Sequence, residues 1–86
     1  MVTGKIGIRD ARLREATSRA KRLYLSNPDL DYVKRTTLAI MRAGLGLSRP
    51  TLLDYWNIIE ARLQVDPEVQ KASETAKAKR LNNYNV

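Results

Sequence analysis

The sequence predicts an all-α fold: a three-helix core plus a weaker C-terminal helix, with no β-wing. Three observations point there. Apolar residues recur at spacings of three and four, no stretch alternates with period two, and helix-start signals recur at "SNPD", "LSRP" and "VDPE". A chain of 86 residues accommodates one domain around a single modest core. Residues 1–8 are glycine-interrupted and predict a flexible N-terminal arm, the domain spans 9–81, and 82–86 form a polar tail.

Asp10 is placed to cap a first helix running to about Leu25, whose apolar stripe is Leu13, Ala16, Ala20 and Leu23. Arg12 and Arg19 lie to one side of that stripe, and Arg14, Lys21 and Arg22 lie around its far side. In the second helix Asn27 serves as cap and Pro28 as first residue, with Asp29 and Asp31 favouring the positive end of the dipole. It runs to about Ala43, burying Leu30, Val33, Thr37, Ile40 and Met41, and Gly44 takes the left-handed C-terminal position. Ser48 caps the third helix with Pro50 in its first turn, and Leu52, Trp56, Ile59 and Leu63 form the strongest periodicity in the chain. Trp56 belongs at the centre, because a buried aromatic hides roughly 150–250 Å². Asp66 and Pro67 start a fourth helix over about 67–81, which packs shallowly because Val69, Ala72 and Ala76 are small.

Cysteine and histidine are absent. That excludes disulfides, thiolate and imidazole metal sites and any nucleophile–His dyad. The nine acids form no paired constellation and there is no glycine-rich phosphate loop, so the expectation is a protein that is not an enzyme and needs no cofactor or metal. No apolar run approaches the roughly 18–20 residues that span a bilayer, and the N-terminus lacks a signal-peptide core. The expected location is cytoplasmic and nucleoid-associated, with no membrane partner. The net charge of +7 makes polyanions the natural partners. It is concentrated in residues 1–26, which carry seven basic and two acidic side chains.

At "GLGLSRPTLLDYW" the chain resembles the helix-turn-helix superfamily of DNA-binding domains, over about residues 37–56. Gly46, Leu47 and Ser48 match its turn, Leu52 and Tyr55 match the apolar positions six and nine after the glycine, and Leu45 and Met41 those one and five before. Two features depart from the pattern: Arg42 stands where a small residue is expected, and Gly44 suggests a longer turn. The resemblance implies that the third helix enters a major groove, with base or phosphate contacts at Ser48, Arg49, Pro50, Leu53 and Asp54. Ser48 and Arg49 suit that role, whereas Asp54 repels phosphate and Leu53 can meet only a thymine methyl.

The main expectation is a small basic nucleic-acid-binding protein, with double-stranded DNA favoured, in transcription regulation or another DNA-associated role. Ser48, Arg49 and Thr51 approach the groove, and Arg12, Arg14, Arg19, Lys21, Arg22, Lys34 and Arg35 contact phosphates. The alternative is an accessory subunit that docks on a larger DNA-processing enzyme, such as a polymerase holoenzyme, through Leu53 and Ile58. A homodimer paired through the first-helix seam is a further option.

Overall fold

The computed structural model describes the backbone of residues 3–84 and the side chains of residues 9–79. It is all-α, with α1 at Thr3–Ser26, α2 at Leu30–Leu45, α3 at Arg49–Gln64 and α4 at Pro67–Tyr84. Helix α1 packs against each of the other three, α3 packs against both α2 and α4, and α2 and α4 share no close approach among the described residues. The body is 59 Å long and about 20 Å across, measuring 23 and 18 Å in the other two directions.

Helix α1 begins seven residues earlier than Asp10, so the arm expected over residues 1–8 is helical from Thr3. No proline interrupts "TGKIGIRD", and extending an existing helix costs far less than nucleating one, which outweighs the two glycines. Asp10 therefore lies inside α1 and does not cap it. Its carboxylate accepts from Arg14 one turn on and lies 3.9 Å from the Arg62 guanidinium of α3.

The start of α2 also shifts, because Asp29 and not Asn27 is its cap. Asp29 is extended (φ −123°, ψ 107°), and its carboxylate accepts from the amides of Asp31 (3.1 Å) and Tyr32 (3.3 Å). Pro28 disfavours helical geometry at Asn27, and a carboxylate complements the positive helix end better than an amide. At the other end α2 runs straight through Gly44. Gly46 takes the left-handed conformation (φ 62°, ψ 28°), and its amide donates to the Arg42 carbonyl at 3.0 Å. Stopping there keeps Leu45 on the helix and lets both Leu45 and Leu47 pack against the core.

Three residues, Gly46 to Ser48, then turn the chain into α3. Pro50 sits in the first turn of α3, and Leu52, Tyr55, Trp56, Ile59 and Leu63 all face inward. They meet Leu13, Ala16, Ala20 and Tyr24 of α1, Val33 and Met41 of α2, and Val69 of α4 in one cluster. Trp56 is 2% exposed and Ile59 fully buried. Two of the expected inward residues of α2 are not buried: Leu30 and Ile40 remain about 40% exposed, at 40% and 38%. Among the described residues only α1 and α3 cover α2, so the stripe they bury narrows to Val33, Thr37 and Met41. On α1, Tyr24 takes the buried end of the seam and Leu23 is half-buried.

Thr37 is the exception to polar satisfaction. Its side chain is 1% exposed, and its hydroxyl has no hydrogen-bond partner among the described residues. Thr17 and Thr75, by contrast, donate back to the carbonyls of Leu13 (2.6 Å) and Lys71 (3.0 Å). A buried hydroxyl left without a partner costs about 1–3 kcal/mol, while a methyl of the same shape costs nothing. Thr37→Val is therefore expected to stabilise the domain by about 1 kcal/mol or more in chemical denaturation followed by circular dichroism. An unchanged or lower denaturation midpoint would show that the hydroxyl is satisfied in solution.

Candidate nucleic-acid interface

The cations separate into those held by the fold's own acids and those left free. Among the expected contacts on α1, Arg14 pairs with Asp10, and Arg19 lies 3.8 Å from Glu15, both one turn apart along the helix. Such exposed pairs are worth little and open readily. Lys21 is held differently. Its ammonium lies 3.1 Å from both Asp66 and Glu68, bridging the end of α1 to the start of α4. Asp66 also caps α4, accepting from the amides of Glu68 (2.9 Å) and Val69 (3.4 Å). Hydrogen bonding to the two carboxylates raises the Lys21 ammonium above its ordinary range, and Lys21 in turn holds the Asp66 carboxyl below its own. Lys21 thus links the end of α1 to the start of α4 through two ion pairs.

Arg12, Arg22, Lys34, Arg35 and Arg49 form no ion pair among the described residues. Arg12 lines a groove between α1 and α2 together with Arg19, Glu15, Ile40 and Gly44. On the other side of α2, a groove of about 610 Å³ separates it from the start of α3. Its walls carry Lys34, Arg35, Arg42 and Arg49, with Ser48, Leu52 and Leu53 beside them, and no carboxylate lines it. Three other grooves on the molecule each set a carboxylate beside their cations: Asp29 and Glu68 in one, Glu60 and Glu74 in another, Glu15 in the third. Of these four grooves, the α2–α3 groove is the one whose cations have no lining carboxylate to offset them.

Arg42 belongs to this set, although in the sequence it read as a departure from a family pattern. The available signal was its spacing of seven from Arg35, which puts both on one line of α2. Ser48 stands at the N-cap of α3 but its side chain caps no amide; its hydroxyl lies 3.0 Å from that of Thr51, which is half-buried. Leu53 is 37% exposed at the edge of the groove. Ile58 is half-buried and packs against the core, so little of it is presented to a partner. Arg9 stays exposed, with its guanidinium over the Tyr55 ring, 5.6 Å from its centre.

No helix among the described residues is long and apolar enough to cross a membrane, and no group of potential metal ligands occurs among them. Comparison with known proteins gives no match, whether to a family model, a curated protein or a solved structure.

The Lys21 clamp sets a pH window. The depressed Asp66 carboxyl contributes stability above its unfolded value of 3.8 and loses it as pH falls below that. The raised Lys21 contributes below 10.5 and loses it as pH rises beyond. Asp66→Asn keeps an oxygen to cap α4 but removes the charge. In thermal melts it is expected to lower Tm at pH 7 and to flatten the decline of Tm between pH 5 and pH 3. An acid decline as steep as that of the parent would mean that the clamp carries none of it.

Proposed function

We propose that the protein binds nucleic acid, and duplex DNA in particular, through the cation-lined groove between α2 and α3 and the neighbouring flank of α1. The observation that carries this reading is the composition of that groove: four basic side chains, no carboxylate and no internal ion pair among the described residues. Three of the four are arginines, whose planar forks match phosphate oxygens in pairs. Around the groove the net charge of +7 draws a polyanion in from a distance.

Duplex is favoured over single strand because single-strand binders stack bases on exposed aromatic rings. Among the described side chains, Tyr24, Tyr55 and Trp56 are buried and Tyr32 is half-buried. The groove cations together with Arg12 and Arg22 supply about six phosphate or base contacts.

Fluorescence anisotropy on a duplex of about 25 base pairs tests the reading. With four to six of these contacts on phosphates, log affinity falls against log salt with a slope of roughly −4 to −5. The double substitution Lys34→Ala with Arg49→Ala is expected to make that slope shallower by about two. A parent protein whose binding ignores salt, or a double variant with the parent's slope, overturns the assignment of this groove.

A further inference from the structure

The cations do more than line one groove; they straddle α2. Its buried line is Val33, Thr37 and Met41. The opposite face carries Arg35, Ala39, Arg42 and Ala43, all exposed, with its one acid, Asp31, at the N-terminal end a turn before Arg35, whose Nε donates to the Asp31 carbonyl at 3.4 Å. To one side of this face lies the α1–α2 groove with Arg12, and to the other the α2–α3 groove with Arg49. The corresponding outward face of α3 is quite different: Pro50, Asp54, Asn57 and Ala61 are exposed and include an acid and no cation.

We infer that α2, and not α3, is the helix that enters the major groove of DNA, with Arg35 and Arg42 reaching base edges. This rests on the duplex-binding reading above and names the element that does the reading. A major groove about 12 Å wide admits one helix only if its outer side chains are slim or pair with the bases. Ala39 and Ala43 let the backbone come close, and the two arginines between them supply donors for guanine O6 and N7. Seven residues of helix separate Arg35 from Arg42 by about 10 Å, the rise of roughly three base pairs. Arg12 and Arg49, on opposite flanks, then meet the phosphates of the two strands that wall the groove. A-form RNA offers no equivalent, since its major groove is too narrow and deep for a helix.

The test compares charge-matched substitutions on the two outward faces, using anisotropy on duplex DNA at fixed salt. Ala39→Glu and Ala43→Glu are expected to weaken binding tenfold or more, while Ala61→Glu on α3 changes it less than about threefold. All three positions are exposed, and glutamate is a good helix former, so each variant keeps the fold. Circular dichroism at the assay temperature checks this. Selection from a random duplex pool is expected to enrich guanines about three base pairs apart. Arg35→Lys with Arg42→Lys, which keeps the charge but loses the fork, is expected to erase that enrichment. If Ala61→Glu is the damaging variant and the α2 variants are not, this inference fails while the duplex-binding reading stands. Equal competition by double-stranded RNA also overturns it. If the parent protein binds no duplex at all, the underlying reading is what fails.

Discussion

The structure depends on the burial of one face of α3 against α1. Leu52, Tyr55, Trp56, Ile59 and Leu63 form a continuous apolar stripe, and α1 meets it with Ala16 and Ala20, whose small side chains allow close approach. Burying the Trp56 and Ile59 side chains supplies several kcal/mol between them, a large fraction of what holds a domain of this size together. Helix α2 then leans on both partners through a narrower line, and α4 adds Val69. The placement of the cations on α2 follows from that arrangement, because α1 and α3 between them decide which sides of α2 stay open.

Within this frame the charges are sorted by partner. Asp10, Glu15, Asp66 and Glu68 absorb Arg14, Arg19, Lys21 and, more loosely, Arg62. Fewer of the α1 cations are therefore free than the excess of charge in the first 26 residues suggests. The unoffset positive charge moves toward α2 and the start of α3, where Lys34, Arg35, Arg42 and Arg49 share one groove. An anion approaching the molecule meets a basic helix α1 partly neutralised by its own acids, and a second surface that is not.

The helices and the centre of the core were legible in the sequence, and so was the α4 cap at Asp66. The stripe of α3 is long and regular, so its period decides the element without help from tertiary structure. Boundaries were harder because they turn on competition between neighbours. Asn27 and Asp29 both suit a cap, and Gly44 and Gly46 both suit a left-handed stop; which is used depends on where Pro28 bends the chain and where Leu45 and Leu47 find the core. The pairs Asp10–Arg14 and Glu15–Arg19 were readable from their spacing of four. The bridge from Lys21 to Asp66 and Glu68 spans more than forty residues, and no local pattern announces it.

Helix α4 is attached unevenly. Its first turn is capped by Asp66, tied to Lys21 and anchored by Val69, while its described residues beyond that are half-buried at most. An element held mainly at one end opens locally at lower cost than one held along its length. Since α2 and α4 share no close approach among the described residues, such an opening leaves the open face of α2 undisturbed. The molecule therefore has a three-helix body and a fourth helix fastened to it mainly at its first turn, by the Lys21 bridge and by Val69.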